Sequence, residues 1–102
     1  MLSPQLFSDA TIDLFSQRQP PDGSSRALGW DTPSEESASG QYFSANSIGH
    51  LGYSGCSLWI DPAAETWIVL LTNRVHPAIP TDDRFKRFRP ALHDAIVDTL
   101  GT

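Results

Sequence analysis

Hydrophobic and polar positions divide the chain into four blocks. In the first, residues 3–17, Leu6, Phe7, Ala10 and Leu14 share one arc of a 3.6-residue wheel and predict a helix. Ser3 suits its N-cap, and Pro4 suits the first helical position, where a missing N–H costs nothing. Ile12 and Phe15 fall outside that arc, which leaves them exposed or against a second surface. Residues 18–47 carry turn chemistry, beginning with Gln19-Pro20-Pro21-Asp22-Gly23-Ser24-Ser25. Within them Arg26-Ala27-Leu28-Gly29-Trp30 predicts a short strand. The acidic stretch from Asp31 to Gly40, with Glu35-Glu36 at its middle, predicts a solvated loop rather than a metal site.

Residues 48–73 form a strand block. Ser57-Leu58-Trp59-Ile60-Asp61 runs into Pro62-Ala63-Ala64-Glu65, a hairpin turn, and Thr66-Trp67-Ile68-Val69-Leu70-Leu71-Thr72 returns. The nearly continuous apolarity of that second run predicts cover on both faces. The glycines of Gly49-His50-Leu51-Gly52-Tyr53-Ser54-Gly55 predict close backbone approach beside a third antiparallel strand. The last block, residues 81–100, predicts a helix capped by Thr81, with Asp82 and Asp83 at the positive end of its dipole and Gly101 as its stop. Phe85, Phe88, Leu92, Ala95, Ile96 and Thr99 make its stripe, which Pro90 kinks without interrupting. The elements together predict an α+β fold: a small antiparallel sheet of three to four strands packed with an N-terminal and a C-terminal helix. Leu58, Ile60, Ile68, Leu70, Phe88, Leu92 and Ile96 are its expected core.

Composition narrows the function. With 102 residues the chain is one domain at most, near the lower limit for burying a core unaided. A net charge of −5 and the lack of a basic run exclude a generic nucleic-acid binder. No stretch is long and apolar enough to span a membrane. The opening residues lack a basic region and carry Asp9 and Asp13, so no signal peptide is expected, and a bacterial-type cytoplasmic location follows. The single cysteine, Cys56, excludes an intrachain disulfide and suits a reducing compartment.

Three kinds of chemistry are open to these residues. Gly52-Tyr53-Ser54-Gly55-Cys56 approaches the G-x-S-x-G nucleophile elbow but ends on cysteine and joins strand to strand, where an elbow joins strand to helix. Ser54 is still the candidate catalytic residue, with Cys56 as a substitute nucleophile and a histidine as base. His50, Cys56, His76 and His93 are candidate transition-metal ligands under an alternative reading, although their spacing matches no metal motif. No cofactor is otherwise expected. The third possibility is a non-catalytic module that self-associates.

The block from Gly49 to Pro62, followed by Trp67-Ile68-Val69-Leu70-Leu71-Thr72-Asn73-Arg74-Val75-His76-Pro77, resembles the C-terminal end of the serine β-lactamase-like hydrolases, which include class C β-lactamases, penicillin-binding proteins and related esterases. Ala27-Leu28-Gly29-Trp30 and Arg89-Pro90-Ala91-Leu92-His93-Asp94 look like the strand before the loop and the closing helix of that family. The resemblance implies a partial β-lactamase-like fold, a single truncated domain over residues 1–102, and small-molecule ester hydrolysis. It implies that His50 stands at the Lys or His position of the third motif, K-T-G or H-T-G. Gly52 would let substrate lie along the strand, and the Tyr53 N–H would serve as an oxyanion donor. Leu51 departs from the motif's threonine. The family's nucleophile lies in an S-x-x-K motif far to the N-terminal side. No S-x-x-K occurs here, and Lys86 is the only lysine. Weak hydrolysis at best is therefore expected. A homodimer is expected as well, with Ile12, Phe15, Trp30, Trp59 and Trp67 supplying uncovered apolar surface.

Overall fold

The computed structural model of the chain describes residues 6–34, 37–76 and 82–100. The expected caps Ser3, Pro4, Thr81 and Gly101, and the Glu35-Glu36 pair, lie outside the described residues. The fold is α+β: helix α1 (Asp9–Ser16), strands β1 (Ile48–Leu51), β2 (Ser57–Asp61) and β3 (Thr66–Leu70), then helix α2 (Arg84–Leu100). The strands form one antiparallel sheet in the order β1-β2-β3.

The β2–β3 hairpin closes where the sequence placed its turn, with Asp61 opposite Thr66 and Trp59 opposite Ile68. Gly49 faces Trp59 from β1. A Cβ at Gly49 would collide with the Trp59 ring, so the glycine is what lets the indole lie across the sheet. Side chains of cross-strand partners share a face. Trp59 and Ile68 accordingly point together toward Val97 of α2 and Phe43, forming the core with Ala38 and Ile96 at its margin. Trp59 is completely buried, which corrects the expectation that it supplies uncovered surface.

Several other expectations are revised. The strand over Arg26–Trp30 is instead a tight turn, in which the Ala27 N–H donates to the Trp30 carbonyl at 2.8 Å and Gly29 adopts φ +76°. Single bridges join Arg26 to Asp31 and Asp31 to Gly49. Helix α1 starts at Asp9, where the Ser8 hydroxyl accepts from the Thr11 N–H. Leu6 and Phe7 precede it, and its expected apolar arc faces solvent; the off-arc Ile12 is half-buried. No residue of α1 is buried. On α2 the buried positions are Arg89, His93 and Val97, spaced by four, while Phe88 is exposed. The inward face is thus rotated by one residue from the apolar stripe, and from it the Arg89 guanidinium reaches the Gly52 carbonyl at 3.4 Å. Pro90 lies inside a continuous α2. Strand β3 is covered on one face only, since Trp67, Val69 and Leu71 are exposed on the other. Among the described residues no helix is long and apolar enough to cross a membrane.

Candidate active site

The turn from Gly52 to Cys56 joins β1 to β2 and is tightly braced. Gly52 N–H donates to the Cys56 carbonyl at 2.7 Å, and Gly55 N–H donates to the Gly52 carbonyl at 3.0 Å. Arg74 binds the turn twice: its backbone N–H donates to the Ser54 carbonyl at 2.8 Å and its Nε to the Tyr53 carbonyl at 2.9 Å. Its guanidinium also sits 5.5 Å over the Tyr53 ring. Gly55 adopts φ +103°, and a Cβ there would strike the Thr72 hydroxyl. The Tyr53 N–H donates to no group among the described residues.

Beside this turn lies a cleft of about 480 Å³, lined by Gly52, Tyr53, Arg74, Lys86, Arg89 and Asp31, among others. Three cations, Arg74, Lys86 and Arg89, therefore line one cleft, with Asp31 the carboxylate among its described lining residues. Arg89 is 7% exposed. It places one terminal nitrogen 3.4 Å from the Gly52 carbonyl and stacks 4.7 Å over the Phe85 ring, while its Nε has no partner. Burial, and then the Arg74 charge, push the Arg89 guanidinium down from its ordinary value, and Cys56 pushes it back up. A buried cation with an orphan donor is electrostatically incomplete, and an anion in the cleft would complete it.

The sequence candidates separate in space. Gly52 and Tyr53 line the cleft. His50 does not; it is exposed on the sheet face away from α2, with Nδ1 2.7 Å from the Leu51 carbonyl oxygen. Leu51 lines the cleft without the hydroxyl that a threonine would bring. The Ser54 hydroxyl donates to Cys56 Sγ at 3.3 Å, and Sγ lies 3.5 Å from the Thr72 carbonyl oxygen. The Ser54 hydroxyl, the Thr72 backbone and the Arg89 charge lower the Cys56 thiol below its usual value against the effect of burial. His93, on the inward face of α2, is wholly buried, donating Nδ1–H to the Arg89 carbonyl at 2.7 Å and facing Phe43 edge-on. Among the described residues no three His, Cys, Asp or Glu side chains converge to hold an ion, so His50, Cys56, His76 and His93 make no common centre. The Ser44 hydroxyl donates to the Asp61 carboxylate at 2.7 Å.

Sequence reasoning missed Arg89, Arg74 and Lys86 as cleft residues. For Lys86 and Arg89 the signal was the four bases at positions 84, 86, 87 and 89, interspersed with phenylalanine; for Arg74 there was none.

No family model matches the chain. Its relatives nevertheless place it in a class. The matches support a β-lactamase and penicillin-binding-protein-like superfamily over a partial region, at low identity. An N-acetylmuramyl-L-alanine amidase of Bacillus subtilis is 39% identical over 77 residues, covering 72% of this chain and 17% of its own length. A putative D-alanyl-D-alanine carboxypeptidase of Salmonella gallinarum is 35% identical over 78 residues, covering 74% of this chain and 18% of its own. Among solved structures, a β-lactamase from Mycobacterium bovis superposes with TM-score 0.60 at 29% identity, over 72% of this chain and 26% of that one. The chain thus spans under one fifth of the length of these curated relatives.

Proposed function

We propose that this chain is a portion of an esterase-type, β-lactamase-like serine hydrolase, that it receives the anionic end of a small acyl substrate, and that it hydrolyses activated esters weakly at best. The observation that carries this reading is the cleft lined jointly by Tyr53, whose N–H donates to no group among the described residues, and the buried, partly unsatisfied Arg89. Arg89, Arg74 and Lys86 attract a carboxylate, Gly52 lines the cleft beside it, and the Tyr53 N–H donates to the developing oxyanion. A donor so placed stabilises a transition state by ~3 kcal/mol when a nucleophile is in register.

Hydrolysis in this reading uses Ser54. Its oxygen adds to the ester carbonyl while its proton passes to solvent water, because Cys56 accepts the Ser54 hydrogen bond as a thiol that itself donates to the Thr72 carbonyl. The alcohol leaves as an alkoxide that takes that proton back from the water. Water then attacks the acyl-serine, releasing the acid and restoring the hydroxyl. No imidazole assists, and without S-x-x-K the rate is low.

The test is release of 4-nitrophenol from 4-nitrophenyl acetate, together with binding of 4-nitrophenyl succinate, whose free carboxylate probes the cations. Turnover above the buffer rate, lost in Ser54→Ala and weakened at the KM level for the succinate in Arg89→Gln, supports the reading. No turnover, or turnover indifferent to Ser54→Ala, overturns the hydrolytic part. Succinate affinity unchanged in Arg89→Gln overturns the anion-receiving part. No turnover of a β-lactam is expected.

A further inference from the structure

The carbonyls of residues 52–54 are all engaged by arginines. The Gly52 oxygen takes an Arg89 terminal nitrogen at 3.4 Å and the Gly55 N–H at 3.0 Å. The Tyr53 oxygen accepts from Arg74 Nε at 2.9 Å, and the Ser54 oxygen from the Arg74 N–H at 2.8 Å. The two arginines act on different peptides. Arg74 holds the peptides on either side of Ser54, whereas Arg89 holds the Gly52–Tyr53 peptide, whose other end is the Tyr53 N–H. That peptide is trans, so its carbonyl and its N–H point in opposite directions. Anchoring the oxygen therefore aims the N–H, away from the guanidinium.

Arg89 is itself firmly held. It is 7% exposed and stacks 4.7 Å over the Phe85 ring. Phe85 in turn abuts the turn, since a Cβ at Gly55 would lie 3.1 Å from its ring. A cation so far removed from water is weakly screened, and its field on a neighbouring carbonyl is correspondingly strong. Hydrogen bonds in series polarise one another: a peptide whose oxygen faces a cation donates more strongly through its N–H. The Gly55 N–H adds to the same effect at the same oxygen.

We infer that Arg89 is a positioning residue for the oxyanion donor: its buried guanidinium, set against the Gly52 oxygen, aims the Tyr53 N–H and strengthens it. The inference rests on the oxyanion role proposed above for that N–H. It gives Arg89 a role separate from attracting a carboxylate, and the two roles read out on different substrates. 4-Nitrophenyl acetate carries no free carboxylate, so a loss on it in an Arg89 variant comes through the peptide.

The direct readout needs no turnover: it is the chemical shift of the Gly52 carbonyl carbon and of the Tyr53 amide nitrogen in the isotope-labelled chain. Both move upfield in Arg89→Met, which keeps the bulk of the side chain and removes the charge, and both return most of the way in Arg89→Lys. Lys86→Gln takes an equal charge from the same cleft and moves neither. If circular dichroism shows that Arg89→Met does not fold, Phe85→Leu, which removes the platform under the guanidinium, serves in its place with the same expected shifts. On 4-nitrophenyl acetate, kcat falls about 10-fold in Arg89→Met at unchanged KM, less than the roughly 100-fold that losing an oxyanion donor costs. Wild-type shifts in the folded variant overturn the inference. Equal shifts in Lys86→Gln overturn it too, since the effect is then the general field of the cleft. Moved shifts with an unchanged kcat also overturn it, since the strengthened N–H then does not meet the oxyanion. A wild-type chain without turnover overturns the hydrolytic reading alone, and the shifts still decide whether Arg89 aims and strengthens the Tyr53 N–H.

Discussion

Two buried titratable side chains tie this fold to pH. Asp61 lies at the end of β2 and accepts from the Ser44 N–H at 2.9 Å, the Ser44 hydroxyl at 2.7 Å, and the N–H groups of Ala63 and Ala64 at 3.1 and 3.3 Å. Burial pushes its carboxyl up, but the four hydrogen bonds together hold it below the ordinary value. A depressed carboxyl stabilises the fold above its unfolded pKa, about 3.9, and loses that contribution as pH falls through the folded value. Asp61→Asn is expected to cost ~1–3 kcal/mol at pH 7 and to flatten the acid limb of a urea-midpoint profile. His93 acts in a second window. Burial, reinforced by the Arg89 charge, lowers it, against the Arg89 carbonyl and Asp94. A depressed histidine binds its proton more readily unfolded, so stability is full above about pH 6.5 and declines as pH falls toward the folded value. His93→Asn removes that decline, and denaturant midpoints at pH 7.5 and 5.0 in both proteins measure it.

Elements differ in how firmly they are held. The turn 52–56 depends on Gly55, whose positive φ and contact with the Thr72 hydroxyl leave no space for a side chain. Gly55→Ala is expected to lower stability by ~1–3 kcal/mol and to disorder the Tyr53 N–H, read by urea unfolding and by the chemical shift of that amide. Helix α1 is the opposite case. Eight residues do not sustain a helix by themselves, and none of these is buried. Its sequence pattern signalled a helix correctly, but the partner surface for the apolar arc is not within the described residues. The rest of the chain touches α1 through the Leu28 N–H to Phe15 carbonyl bond at 3.2 Å and through a shallow hollow lined by Phe7, Ile12, Phe15 and Trp30.

Across the whole molecule, stability should therefore be graded. Native-state hydrogen exchange is expected to show the amides of β2 opening only with global unfolding, because β2 is the central strand and carries the fully buried Trp59. The α1 amides should exchange near the free-peptide rate; equal protection in both would mean that α1 is docked in solution. The apolar run Leu58-Trp59-Ile60, the turn residues from Pro62 to Glu65, the glycines from Gly49 to Gly55 and the apolar period of 84–100 determined, by themselves, an antiparallel hairpin, a third strand and a closing helix. These are local signals: backbone sterics and side-chain periodicity act over a few residues. The resemblance likewise pointed to Gly52 and Tyr53. What only the tertiary structure decided is which faces meet. The placement of Arg89 and His93 inward on α2, the separation of His50 from the cleft, and the exposure of the Trp67 row depend on what packs across from each position. A residue's pattern of neighbours along the chain says that it wants a partner, but the partner arrives from 30 or more positions away, as Arg89 does at the Gly52 carbonyl across a separation of 37, and no local period encodes that meeting.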